Sequence, residues 1–391
     1  MKYFNVPADF KFETIDEYDR LNNLYEDAQI KETYGQLTIN NIFGSGRPSD
    51  LIPKVDLNKL EKYVAYSRKR NIDFNYTLNA TCLGNLEFSE AGLTKIDRFL
   101  GDIYDIGVKS LTVAIPSLIE YVHMSKYDFI IKASVLCEIL NANKAMSYKK
   151  IGAQRIVLYE TINREFDTIK RIRNAFGQYV EVIVNVICHK NCIYRPFHQN
   201  QCAHDIDPES PSVTYYTHRC MIKRIEELNN LLKLNWIRPE DLKYYTSIGV
   251  EYFKLQGRHT ILKGDPVRTV ESYMKESFDG NFMDLLDYFA PTNSFQIYLD
   301  NKKLDGYIEP FLKNPDFCKN DCEKCNYCEN YIKKALDYEK STEVYKVARE
   351  FYSQYDHFIN MAKRVNQTQN TPREKIDQPD LNIEESMDFN F

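Results

Sequence analysis

Apolar and polar positions along the chain fall into blocks that switch between a helical and an extended period. Runs such as Leu111-Thr-Val-Ala-Ile115 and Val180-Glu-Val-Ile-Val-Asn-Val186 are almost continuously apolar. That is the pattern of strands covered on both faces in a parallel sheet. Strands are expected at 36–41, 72–78, 110–115, 129–133, 155–159, 180–186, 235–237 and 250–255. Helices are expected between them at 56–70, 89–105, 117–123, 138–150, 163–176, 219–232 and 239–247. This alternation predicts an α/β fold, a TIM-like (β/α)8 barrel. An open doubly wound sheet shares the alternation, but no Gly-x-Gly-x-x-Gly turn follows a strand to give it a dinucleotide site.

The flanks read differently. Residues 1–33 are polar in pattern and are expected to wrap the barrel as a helix and loop, which leaves 34–264 for the barrel itself. Residues 265–363 form a C-terminal cysteine-rich, helical extension, with one long helix over 331–363. The segment 364–391 is polar and acidic with two prolines, a composition that predicts disorder. Its aromatic end, Met387-Asp-Phe-Asn-Phe391, makes a docking tail the alternative.

Charge and hydropathy narrow the setting. With 51 basic and 56 acidic residues the net charge is -5, so no overall field draws the chain to nucleic acid or an anionic membrane. No stretch approaches the roughly 18 apolar residues of a membrane span, and the N-terminus lacks a basic region followed by an apolar run. The expected location is the cytoplasm. Ten cysteines in that compartment point to metal or redox chemistry rather than a disulfide framework.

Eight of the ten fall into two quartets. Cys318, Cys322, Cys325 and Cys328 crowd into eleven residues just before a helix, close enough for one loop to surround one metal centre. Overlapping short spacings resemble ferredoxin-type segments, so a 4Fe-4S cluster is expected, with zinc as the alternative. The first three also match the spacing of radical S-adenosylmethionine enzymes, but they lie near the C-terminus and Lys324, not an aromatic, precedes Cys325. Cys188, Cys192, Cys202 and Cys220 begin where a strand ends, the position of active sites in such barrels. Their wider spacing leaves zinc held by cysteine and histidine open, and His189, His198, His204 and His218 lie among them.

The run from Asn235 to Arg258, with its acidic pair, a Gly-Val and a strand closing on Lys-Leu-Gln-Gly-Arg, resembles the late barrel segment of peptidase family U32. The cysteines from Cys188 resemble that family's four-cysteine region, and together these cover residues 70–262. The His-Gly and Ser-Gly-Arg-Cys usual around the first cysteines are replaced here by Asn-Val-Ile-Cys-His-Lys-Asn-Cys. The resemblance implies a barrel whose Cys188, Cys192, Cys202 and Cys220 bind a 4Fe-4S cluster. It also implies either a peptidase or an enzyme of oxygen-independent hydroxylation or RNA-base modification.

Other polar residues at strand ends are candidates for substrate contact: Asn79 with Asn85, Lys132 with Ser134, Glu160, His189, Lys254 and Arg258. The charged ones could orient an anion or be ion-paired inside the mouth. Cys82 is either an extra ligand or a structural thiol. The expected function is an iron–sulfur enzyme acting on a small-molecule or nucleobase-like substrate, with a second cluster relaying electrons from a donor protein. A peptidase and a metal-stapled, non-catalytic binding protein are the alternatives. Neither a His-Glu-x-x-His helix nor a Gly-x-Ser-x-Gly elbow is present for a peptidase.

Overall fold

The structure is a computed structural model that describes residues 1–353 except 40, 42, 49–50, 205–214 and 291–296, with the backbone alone over 342–345. The segment 364–391 and the end of the helix expected over 331–363 lie outside the described residues. Eight parallel strands close into a barrel in sequence order. They are β1 Lys2–Pro7, β2 Ala28–Gly35, β3 Asp73–Leu78, β4 Ser110–Val113, β5 Ile130–Ala133, β6 Arg155–Val157, β7 Val180–Ile183 and β8 Tyr252–Lys254. Closure comes from β1 against β8, with Tyr3, Phe4 and Asn5 opposite Tyr252, Phe253 and Lys254.

The barrel expected from the sequence is therefore present, but it begins earlier in the chain. Residues 1–33 are not a wrap: they hold β1, the helix Phe12–Leu24 and most of β2. The described residues of 36–41, namely 36–39 and 41, form no strand but a loop tied to Val55 through the amides of Thr38 and Ile39. The segment 235–237 is also not a strand of the barrel. It runs beside the chain leaving β7, where Ile237 N donates to Val184 O and Asn235 N to Cys188 O, with Trp236 fully buried.

The first two strands escape the apolar pattern for a physical reason. The barrel interior is polar, so its strands carry inward charges that interrupt the apolar runs. Every strand contributes. Lys132 of β5 lies 2.6 Å from Glu32 of β2 and 2.8 Å from Glu181 of β7. Arg155 of β6 reaches the other Glu32 oxygen at 3.2 Å, and Lys254 of β8 stands 4.0 Å from Glu181. Asn5 of β1 donates to Glu181 at 3.0 Å, Asn75 of β3 to Ser110 of β4 at 2.6 Å, and Thr112 to Asn75 at 2.6 Å. Burial alone would lower the Lys132 pKa, but the charges of Glu181 and Glu32 outweigh it and leave it raised. Burial likewise opposes ionisation of Glu181, and Lys132 with Lys254 bring its pKa below the usual carboxylate value.

Apolar packing lies outside this polar centre, between strands and helices. The same continuous core runs on into the extension, from Phe4 through Trp236 and Tyr307 to Leu336. Arg238, only 2 % exposed, ties the two by pairing with Asp241 and with Asp305 of the extension. Among the described residues, the long helix expected over 331–363 is broken into two, Tyr327–Ala335 and Tyr338–Ser353. They part at Leu336, which forms an antiparallel bridge to Leu299 while Asp337 N donates to Tyr298 O. The second of them packs Ala348 and Tyr352 against Met221, Ile222 and Ile225 of the helix Tyr215–Glu226.

Removing Lys132 would leave two carboxylates buried with their main counter-charge gone. The variant Lys132→Met is expected to lose roughly 3–5 kcal/mol of unfolding free energy in urea denaturation. A loss within about 0.5 kcal/mol, the range of a surface substitution, would contradict the network's role.

Candidate functional site

The C-terminal ends of the strands open into a cavity of about 60 Å³ whose wall includes Tyr34, Thr77, Asn79, Lys254 and Arg258. The loop after β2 forms one side. Gly46 N donates to Asn79 Oδ1 at 3.1 Å, and Asn79 Nδ2 lies 3.5 Å from Ser134 Oγ. A side chain on Gly44 would sit 1.9 Å from the carbonyl oxygen of Ala203, so only glycine lets this loop press on the cysteine-bearing helix Arg195–Ala203.

The charged candidates divide. Lys132 is consumed by the ion pairs below the mouth. Glu160 is gripped from two sides by Arg195, at 2.5 and 2.7 Å, and so anchors the helix that starts there. Lys254 and Arg258 do line the mouth. Lys254 Nζ stands 3.9 Å over the Tyr34 ring, and Arg258 donates to the neutral Gln36 amide oxygen. Burial pushes Lys254 down to about 8 and Arg258 down to about 10.

Beside the mouth lies a second cavity of about 280 Å³, lined by Cys188, Cys192, Cys202 and Cys220 together. Cys188 follows the extension of β7. Cys192 follows Asn191, whose left-handed backbone (φ 53°) is held by a hydrogen bond from its N–H to Thr161 Oγ1 at 3.0 Å. Cys202 sits in the helix Arg195–Ala203 and Cys220 in the helix Tyr215–Glu226. Cationic groups surround them: Arg47 and Arg195 line the cavity, and Arg224 donates to Cys220 Sγ at 3.4 Å. Burial pushes the Cys188 thiol up to about 11. Cys188, Arg47, Arg195, Gln199 and Gln256 belong to the walls of both cavities.

Of the histidines, His189 and His198 line the cysteine cavity, and burial pushes them down to about 3 and about 4. Among the described residues His189 Nε2 has no hydrogen-bond partner. His204 is exposed at the end of its helix, and His218 packs against Tyr352. His259 joins the cavity from the loop after β8, a residue that spacing arguments could not reach. Arg47, Arg195 and Arg224 also escaped the sequence reading; only the Gly44-Ser-Gly-Arg47-Pro pattern offered a signal, and it read as a plain loop. Cys82 accepts a hydrogen bond from Gly84 N and lies on neither cavity wall. Cys137 is buried against the Ala114 carbonyl.

The second quartet lines a third cavity, of about 310 Å³, on the extension. Cys318, Cys322 and Cys325 are exposed, whereas Cys328 is half-buried with its sulfur 3.4 Å from the Tyr307 hydroxyl. Among the described residues no three metal-capable side chains converge as placed. The donor sets nevertheless suit soft metals: each cavity is lined by four thiols, and the inner one by arginines that offset thiolate charge.

Fold and site define a closed (β/α) barrel with a cysteine quartet beside its mouth. The sequence profile of peptidase family U32 matches residues 52–204. An uncharacterized protease of Methanocaldococcus jannaschii, MJ1657, is 31 % identical over 334 residues, which covers 84 % of this chain and 97 % of that protein. The chain belongs to peptidase family U32. Among solved structures, the U32 peptidase Mk0906 aligns over 66 % of this chain and 93 % of its own, at 17 % identity and a TM-score of 0.48.

The depressed Lys254 has a consequence for pH. Its folded value lies below its unfolded one, so the unfolded chain binds more protons between about pH 8 and 10.5 and this group's contribution to stability rises with pH there. Below pH 8 the full cost of burying the charge, on the order of 3 kcal/mol, is present. In thermal unfolding, Lys254→Met should therefore gain on the wild type at pH 7, and the gap should narrow towards pH 10. A constant gap would contradict the shift.

Proposed function

We propose that this U32 barrel is an iron–sulfur enzyme modifying a small-molecule or nucleobase-like substrate, with a 4Fe-4S cluster on each cysteine quartet. The observation that carries this reading is the shared wall: Cys188 lines the cysteine cavity and the mouth alike. A substrate in the mouth would touch the residue that ligates the cluster. The bound cluster would supply electron transfer at that wall, and the family resemblance suggests oxygen-independent hydroxylation as the reaction class.

The chain's own residues then have assignable tasks. Arg224 offsets the thiolate charge, and Arg195, paired with Glu160, fixes the helix that carries Cys202. Asn79 holds the Gly46 loop against the mouth. The outer quartet, three of whose four cysteines are exposed, is open to an electron-donor protein. One turn of chain, Leu228–Lys233, touches both sites: Lys233 O accepts from Lys190 N beside the inner cysteines, and Lys233 also lines the outer cavity.

A peptidase, the reading in the relatives' names, would need an activated nucleophile. Neither a His-Glu-x-x-His helix nor a Gly-x-Ser-x-Gly elbow supplies one here.

Protein purified without oxygen is expected to hold about eight irons and eight sulfides per chain. Cys188→Ser and Cys322→Ser should each remove about half of the iron. Stoichiometric zinc without iron would overturn the reading.

A further inference from the structure

We infer that the barrel mouth is an oxyanion site, holding a carboxylate or phosphate of a small-molecule substrate between Arg258 and Lys254. This deepens the functional reading above, because it names the group by which a substrate of that site is held.

Charge bookkeeping carries the inference. The barrel interior sets two carboxylates, Glu32 and Glu181, against three cations, Lys132, Arg155 and Lys254. Lys132 sits close to both carboxylates and Arg155 on Glu32. Lys254 is left at 4.0 Å from Glu181, whose nearer oxygen accepts no hydrogen bond among the described residues. Its other contact is the face of Tyr34. Among the described residues Arg258 has no carboxylate partner, only the neutral Gln36. Arg195, by contrast, is neutralised by Glu160. The mouth thus presents two nine-tenths-buried cations without full counter-charge in a setting where water screens poorly.

Unpartnered polar atoms give a second, independent indication. Thr77 Oγ1 and Gln199 Oε1 line the same cavity, are buried, and have no hydrogen-bond partner among the described residues. A buried polar atom left alone costs roughly 1–3 kcal/mol, so a ligand donor that reaches it is favoured. The chemistry expected is one anionic group with an O–H or N–H nearby on the same molecule. Size limits it further: the mouth takes little more than a headgroup, and the rest of the molecule would extend along Gln199 and Gln256 toward the cysteine cavity. The Arg258 guanidinium keeps N–H groups beyond the one given to Gln36, and their planar fork suits a carboxylate or phosphate edge.

Calorimetric titration of the anaerobically purified protein tests this, with benzoate, inorganic phosphate and the neutral isostere benzamide as probes. Benzoate or phosphate should bind and benzamide should not, and whichever anion binds tighter identifies the oxyanion preferred. Arg258→Gln should weaken that anion roughly tenfold or more, and Arg258→Lys less, because charge without the fork is kept. Lys254→Met provides the same test should Arg258→Gln fail to fold. Absence of binding by both anions, or equal binding by wild type and both charge-removing variants, overturns the inference. Iron measured in the same samples separates the readings. An iron-free chain that binds benzoate through Arg258 sinks the iron–sulfur reading alone; an iron-loaded chain blind to both anions sinks the oxyanion site alone.

Discussion

The ion-paired interior of the barrel is the constraint on which the rest depends. All eight strands send a polar side chain inward, and two carboxylates, two lysines and an arginine meet there. Barrel cores are more often filled with branched aliphatic side chains. Here the register of each strand is fixed by hydrogen bonds as well as by packing, since a slip of one residue would turn a charge outward and strand its partner. The arrangement also leaves its surplus positive charge at one end. That end is the mouth, so the interior that locks the barrel also prepares its site electrostatically.

Two clamps extend this order to the cysteines. The Glu160–Arg195 pair fixes the start of the helix bearing Cys202, and the bare Gly44 backbone meets its end at Ala203. The chain leaving β7 is braced by Asn235 and Ile237, so Cys188 projects from supported backbone although it lies beyond the strand. The last described helix backs the one carrying Cys220. The extension is thus no separate module, because its core is continuous with that of the barrel.

The sequence made the barrel legible wherever strands were apolar. The segments around β3 to β8 were found because their neighbouring positions stay apolar, as in Leu111 to Ile115, even where a single inward charge such as Lys132, Glu181 or Lys254 intervenes. β1 and β2 were missed because Asn5, Glu32 and Thr33 interrupt theirs, and those residues are buried only through partners far away in sequence. The same limit applies at the site. Cysteine spacing marked both quartets, and Asn79, Lys254 and Arg258 were visible as strand-end polar residues that do line the mouth. Whether Lys132 and Glu160 served substrate or structure was invisible, because the answer lay in Glu32, Glu181 and Arg195. Arg224 and His259 carry no local signature and Arg47 only that of a loop; the closed barrel brings them to the cysteines.

Contiguity of the mouth and the cysteine cavity is tested most directly by electron paramagnetic resonance of the reduced protein. With Cys322 and Cys325 replaced by serine, only a cluster on Cys188, Cys192, Cys202 and Cys220 would contribute. Titrating an anion that binds through Arg258 should then shift that spectrum, because the ligand abuts the wall to which Cys188 belongs. A spectrum unchanged at saturation would contradict the shared wall and separate the cysteines from the chemistry of the mouth.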